Sequence, residues 1–240
     1  MPIPQSRLFQ IPFGTHTLVG DVIAHGTMVH LLVLHGAGQS DRARFRMLRE
    51  YFVAQGIGSA AFDFIGHGET GGELASSSLL SRTQQACRVI DALQLQQPLS
   101  IIAASMGAYT AVKLLEHYDI AHLILLVPAM YTSAAYAVPF NQGFTSIIRQ
   151  PNSWVQSDAW DVLARYTGRL LIVAGEHDTV IPPGVIKRIY DSATRAKRRQ
   201  LYIAPQASHF VITDLRAHNP SALEHILGLI TAMLQHTESS

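Results

Sequence analysis

Ser105 stands in the run Ala103-Ala104-Ser105-Met106-Gly107, with small residues two places to either side. Leu99, Ile101 and Ile102 precede it, and an amphipathic stretch over 109–117 follows. The pattern predicts a serine at a sharp strand-to-helix turn. Such a turn exposes the hydroxyl as a nucleophile and needs small neighbours where strand and helix pass close together. The helix N-terminus also aims backbone N–H groups at whatever bonds to the serine oxygen. A serine hydroxyl is a weak nucleophile, so it needs a base, and the base needs an orienting carboxylate.

Two downstream runs supply these partners in the order Ser, acid, His. Gly175-Glu176-His177-Asp178 follows an apolar run and precedes Val180-Ile181-Pro182; Ser208-His209-Phe210 comes soon after the last one. Asp178 and His209 are therefore the candidate acid and base. Glu176, Asp158 and Asp161 compete for the acid's place. Among the other histidines, His117 and His122 flank a connection at the opposite end of the sheet, and His177 occupies the turn itself. His218 precedes the last helix, His225 lies within it, and His35 and His67 are expected to brace loops.

A developing oxyanion needs donors, and losing one costs about two to three orders of magnitude in turnover. The Met106 N–H, next after the serine, is one. The second is assigned to the Ala37 N–H in His35-Gly36-Ala37-Gly38, where glycines admit a close-approaching ligand. Neither Gly-rich loop continues into the Lys-Ser/Thr of a phosphate-cradling loop.

These residues follow the ends of apolar runs. Strands are expected over 29–34, 58–64, 99–104, 122–127, 170–174 and 200–203, and helices over 42–55, 79–93, 183–192 and 221–234, with Ser221 as a cap. Continuous apolar strands between amphipathic helices predict an α/β fold, a mostly parallel central sheet with helices on both faces. Ligands bind such sheets beyond the carboxyl ends of the strands. The stretch 11–25, with Gly14, Gly20 and Gly26 at turn-like spacing, predicts an antiparallel hairpin at the sheet edge.

The segment 129–167 breaks the rhythm, and 131–148 holds no charged residue. Tyr136, Phe140, Phe144 and Ile148 recur at fours, as on an apolar helical face. A segment this long between core strands predicts a short cap within a single domain spanning 1–240. Tyr136, Phe140 and Phe144 are its candidate substrate-binding residues. The bland alternatives are an extra core helix or a contact between two copies of the chain in a homodimer.

The chain is 48% hydrophobic and 15% charged, against a usual charged share of about 25%. A formal net charge of +1 gives no reason to expect a nucleic-acid partner. Arg195, Lys197, Arg198 and Arg199 are expected in a solvated loop. The single cysteine, Cys87, rules out an intrachain disulfide and fits a packed small apolar site. The stretch 1–14 has no apolar core of signal-peptide length, and no run approaches a membrane span, so a cytoplasmic protein is expected.

The chain resembles the α/β-hydrolases over nearly its full length. The resemblance is carried by His35-Gly36-Ala37-Gly38, Asp63-Phe64-Ile65-Gly66-His67-Gly68, the run around Ser105, Gly175-Glu176-His177-Asp178, and His209. The Ser-Met-Gly turn and short uncharged cap resemble the branch of small esterases, acyl hydrolases and monoacylglycerol lipases. Ala103 departs from that pattern, which has glycine there; altered packing rather than lost activity is expected. Haloalkane dehalogenases and epoxide hydrolases share the fold, but the resemblance gives them an aspartate nucleophile. Lyase, acyltransferase and C–C hydrolase chemistry stay open. The resemblance implies a serine hydrolase of carboxylic esters or thioesters with an apolar acyl or aromatic group, needing no metal or organic cofactor. The alternatives are a non-hydrolytic receptor or scaffold, and a peptidase or amidase.

Overall fold

Alternate residues of a strand point to opposite faces, and in this protein both faces of the central strands are covered. The structure is a computed structural model that describes residues 5–26 and 29–235. Its strands are β1 (Gln5–Phe13), β2 (His16–Ala24), β3 (Leu31–Leu34), β4 (Ser59–Phe62), β5 (Leu99–Ala104), β6 (Ile120–Leu126), β7 (Arg169–Gly175) and β8 (Arg198–Ala204). Its helices are α1 (Arg46–Ala54), α2 (Leu79–Leu93), α3 (Met106–Leu114), α4 (Thr145–Ile148), α5 (Ala159–Arg165), α6 (Pro183–Ser192), α7 (Val211–His218) and α8 (Pro220–Gln235). Leu32, Leu34, Ile101, Leu123, Leu125 and Ile172 pack with α2, α3, α5 and α6. Leu31, Val33, Ile102, Ile124, Leu171 and Val173 pack with α1, α7 and α8 on the other face. Two covered faces explain why these strands are apolar at every position rather than at alternate ones.

The eight strands form one sheet in the order β1-β2-β4-β3-β5-β6-β7-β8. β1 pairs antiparallel with β2 and β2 with β4, while the pairs from β4 to β8 are parallel. The expected edge hairpin is therefore present. Gly14 (φ +56°) sits in its turn. Gly20 is not a turn residue: it lies within β2, where a Cβ would come within 2.3 Å of the Phe9 ring and 2.4 Å of Ala61 O. From β3 the chain moves outward to β4 on one side, then returns to β5 on the other. The carboxyl ends of β3 and β5 thus flank a topological switch point, where α/β sheets open a crevice.

Several elements follow from local chemistry. The Ser78 hydroxyl accepts the Ser81 N–H at 3.0 Å and caps α2. Pro183 opens α6 as its first residue. α8 begins with Pro220, and its cap is Asn219, whose Oδ1 accepts the Ala222 N–H at 3.2 Å; Ser221 lies inside the helix. Arg198 and Arg199 lie on β8 rather than in a loop, with Arg199 Nη1 donating to Tyr190 O at 2.9 Å. Helix α7 was not expected from the sequence.

No single helix presents the apolar residues of 136–148. Pro139 and Gly143 (φ +87°) break the chain around a distorted turn, Phe140–Phe144, before α4. The aromatic residues still meet. Phe140 and Phe144 ring centroids are 4.7 Å apart, Tyr131 and Phe144 5.8 Å, and Tyr109 and Tyr136 6.0 Å. Backbone bonds from Phe140 N–H to Ser77 O and from Leu80 N–H to Tyr136 O, each 2.9 Å, tie this segment to the start of α2. Further along, α5 buries Ala159, Trp160, Val162 and Leu163 as a core helix. Among the described residues, no helix is long and apolar enough to cross a membrane.

Candidate active site

The turn between β5 and α3 is tight enough to force Ser105 to φ +51°, ψ −121°. Positive φ is unfavourable for any residue with a side chain, so the surroundings must hold it. Ser105 N–H donates to Leu126 O at 3.0 Å, and Ser105 O accepts the Ala129 N–H at 3.1 Å. The small neighbours are required. A Cβ on Gly107 would lie 2.6 Å from His35 O and 2.9 Å from Leu34 O. Ala103 is completely buried in the core beneath the turn. Gly36 leaves the β3 loop close to the serine; a Cβ there would meet Ser105 Cβ at 3.1 Å.

The structure brings Asp178 and His209 to Ser105 from the loops beyond β7 and β8. His209 Nδ1 is 2.9 Å from Asp178 Oδ2, and His209 Nε2 is 3.0 Å from Ser105 Oγ. The carboxylate selects Nδ1 as the protonated nitrogen, which leaves Nε2 to accept the serine proton. Asp178 is fixed in turn, because its Oδ1 accepts the N–H groups of Val180 at 2.8 Å and Ile181 at 3.1 Å. Gly175 matters to this approach: a Cβ there would come within 2.4 Å of Ser208 O.

The competing groups are occupied elsewhere. Glu176 Oε2 accepts the Gln206 N–H at 2.8 Å and braces the histidine loop. Asp158 accepts the Tyr109 hydroxyl at 2.7 Å and Lys113 Nζ at 3.2 Å. Asp161 lies in the first turn of α5. His122 Nδ1 is 2.9 Å from Ser100 Oγ, at the far end of β5. His225 packs its ring 5.1 Å from Tyr202. His35 and His67 are ring neighbours at 4.8 Å. Burial, then Arg82, holds both below the usual histidine pKa, His35 well below.

An open cleft of about 110 Å³ meets Ser105 and His209, with Ala37, Arg44, Leu48, Leu126, Phe210 and Ile212 among its walls. Met106 is the first residue of α3, where N–H groups have no intrahelical acceptor. Tyr136, Phe140 and Phe144 are not among that cleft's walls; they pack toward α2 and α3 as described above. The cleft's walls include Ser40, Arg44 and Phe45 from the segment before α1, Leu126 and Val127 at the end of β6, and Val211, Ile212 and Thr213 from α7.

Two contributors were not read from the sequence. Asp214, on α7, holds the loop that carries His209. Arg82, on α2, bonds to the loop that carries Ala37. Arg82 shares its helical spacing with Ala86 and Val89, and this placement on a buried face was the available signal. The short α7, with only Val211 and Leu215 buried, gave no comparable pattern.

Comparison with known proteins agrees with this architecture. Residues 27–157 match the family model Hydrolase_4, described as serine aminopeptidase, S33. No curated protein matches the chain. Among solved structures, the esterase Pf2001 of Pyrococcus furiosus is 19% identical with a TM-score of 0.70, covering 97% of this chain and 92% of that one. Est1E of Butyrivibrio proteoclasticus, solved with ferulic acid, is 20% identical with a TM-score of 0.70, covering 92% and 99%. A thioesterase domain from the curacin biosynthetic pathway is 18% identical with a TM-score of 0.69, covering 95% and 99%. At these identities the likeness is one of fold. With more than half its length matched by the family model, the chain belongs to the serine aminopeptidase S33 (Hydrolase_4) family and is an α/β-hydrolase.

Proposed function

We propose that this hydrolase cleaves carboxylic esters or thioesters through an acyl-enzyme on Ser105. The observation that carries the reading is the unbroken relay from Asp178 through His209 to Ser105, with links of 2.9 and 3.0 Å. Ser105 Oγ attacks the acyl carbonyl while His209 Nε2 takes its proton. The carbonyl oxygen becomes an oxyanion, bound by the Met106 and Ala37 N–H groups. His209 then gives the proton to the departing alkoxide or thiolate, leaving the acyl group on Ser105. Water, deprotonated by His209, adds to the acyl carbon; collapse releases the acid and returns the proton to Ser105. Asp178 stabilises the imidazolium at both stages. The cleft walls Leu48, Leu126, Phe210 and Ile212 suit an apolar acyl or aromatic group. Solved relatives of the same fold include an esterase and a thioesterase domain, which supports this substrate class.

The family description suggests a second reading, an aminopeptidase. It would need an acidic side chain to receive the substrate's ammonium group. The ionisable side chains on the cleft wall are Arg44 and His209, which favours the ester. Turnover of a p-nitrophenyl ester against the matching p-nitroanilide separates the two; faster anilide cleavage would favour the peptidase. Ser105→Ala should abolish p-nitrophenol release and labelling by a fluorophosphonate while the fold is retained. Undiminished hydrolysis by that variant would overturn the assignment. A folded wild-type protein that stays unlabelled and inactive would favour a non-hydrolytic receptor.

A further inference from the structure

Arg82 is fully buried in the interior. Its guanidinium lies over the Phe64 ring, 3.7 Å from the centroid. Its Nη2 donates to His35 O at 2.7 Å and to Gly36 O at 3.0 Å, while Nε and Nη1 have no protein partner. No carboxylate pairs with it among the described residues; Tyr131, His35 and His67 are the side chains whose ionisation it influences. Burial pushes its pKa down to about 9, so it is cationic at neutral pH. Burying a cation without a counter-ion costs several kcal/mol. Holding two carbonyls needs only a neutral donor, so the charge itself requires a reason.

The reason lies in what Gly36 O belongs to. That carbonyl accepts twice, from Arg82 and from His35 Nδ1–H at 2.8 Å. The tautomer is set because His35 Nε2 accepts the Phe64 N–H at 3.0 Å. The same peptide unit carries the Ala37 N–H. In a trans peptide, C=O and N–H point in opposite directions. The carbonyl faces Arg82 in the interior, so the N–H is turned the other way, and Ala37 lines the cleft with Ser105 and His209. Hydrogen bonds to a carbonyl polarise the peptide and strengthen its N–H as a donor, most of all where water is excluded.

We propose that Arg82 is a positioning residue of the oxyanion site. Its buried charge orients and polarises the Gly36–Ala37 peptide, so that the Ala37 N–H binds negative charge on the substrate's carbonyl oxygen more strongly. The proposal rests on the acyl-transfer reading of Ser105. It accounts for the unpaired charge, because the benefit falls where a neutral substrate becomes an anion. The effect belongs to the transition state and not to ground-state binding.

The test uses an alkyl trifluoromethyl ketone, whose carbonyl adds Ser105 Oγ to form a hemiketal. ¹⁹F NMR of the adduct against pH gives the hemiketal's ionisation directly. Arg82→Gln should raise that pKa by about one unit and lower kcat for a p-nitrophenyl ester about tenfold, with KM within about twofold. Arg82→Lys keeps the charge on a shorter side chain without the planar fork, so the cation is held less firmly against Gly36 O. It should raise the pKa by about half a unit and lower kcat about threefold, which carries the test if Arg82→Gln does not fold. Circular dichroism selects the folded variants. An unchanged hemiketal pKa in whichever variant folds overturns the proposal, as does a loss confined to KM. A wild-type protein that forms no adduct, or an adduct that persists in Ser105→Ala, overturns the Ser105 reading itself, whatever Arg82 does.

Discussion

Asp214 Oδ2 accepts both the backbone N–H of Ser208, at 2.8 Å, and its hydroxyl, at 2.6 Å. Ser208 Oγ in turn accepts the Phe210 N–H at 3.2 Å, so the residues on either side of His209 are held by one carboxylate on α7. Asp214→Asn should lower kcat for ester hydrolysis about tenfold through a looser His209, with the fold retained. Steady-state kinetics with a soluble p-nitrophenyl ester checks this.

The same pair predicts a pH dependence of stability. The Ser208 hydrogen bonds hold Asp214 below the usual carboxylate pKa, against a smaller opposing effect of burial. A carboxylate lowered in the folded state contributes stability above its unfolded pKa of about 4, which is lost as pH falls through the folded value. The urea midpoint of the wild type should therefore fall more between pH 6 and pH 3 than that of Asp214→Asn. Parallel midpoint curves would contradict this.

Asp178→Asn separates orientation from fold. The amide can still occupy the turn and accept from Val180 or Ile181, but it presents the wrong partner to His209 Nδ1. Turnover should fall by about 10,000-fold with little change in melting temperature. A variant retaining more than a tenth of the activity would remove Asp178 from the triad and return Glu176 to consideration.

Gly107→Ala tests the packing beneath the serine. The new methyl would meet two backbone carbonyls, of His35 and Leu34, and neither is a flexible side-chain end. A cost of about 1–3 kcal/mol is expected, with α3 displaced from β3. Thermal unfolding measures the loss, and esterase activity of the folded fraction should fall with it, since the shift separates Ala37 from Met106.

Arg49 and Asp21 offer a change in stability away from the cleft. Arg49 is almost fully buried, bonds Asp21 Oδ1 at 2.9 Å and Asp21 O at 2.8 Å, and reaches Ser59 O at 3.1 Å. Arg49→Met removes the donor to Asp21 O and Ser59 O while Arg42 Nε still holds Asp21 Oδ1 at 3.1 Å, and should cost about 1–3 kcal/mol. Urea unfolding at pH 7 should report it, while kcat of the folded protein stays within about twofold.

Much of this molecule was legible because burial on two faces leaves a plain mark. Strands β5, β6 and β7 appear as apolar runs for that reason, and Ser78 and Pro183 mark helix starts by local chemistry. Chain order, with each residue's place after an apolar run, brought Ser105, Asp178 and His209 into consideration together, and the geometry joins them. Spacing misled at the cap, since Tyr136, Phe140 and Phe144 fit a helical period that Pro139 and Gly143 interrupt. The cleft walls escaped notice because Arg44, Phe210 and Ile212 come from segments remote in sequence. Arg82 escaped because a helical arginine ordinarily faces water, and its shared spacing with Ala86 and Val89 is a faint sign beside that expectation.

The strained backbone of Ser105 has a consequence for how such a protein could change over time. Its φ of +51° is a conformation that glycine adopts freely and serine does not. Ser105→Gly would remove the hydroxyl and relieve about 1–3 kcal/mol of strain, offset in part by glycine's freer unfolded chain. Robustness and chemistry therefore pull in opposite directions at this position. On the acyl-transfer reading, a lineage released from the need for chemistry could drift there toward a sturdier, silent protein.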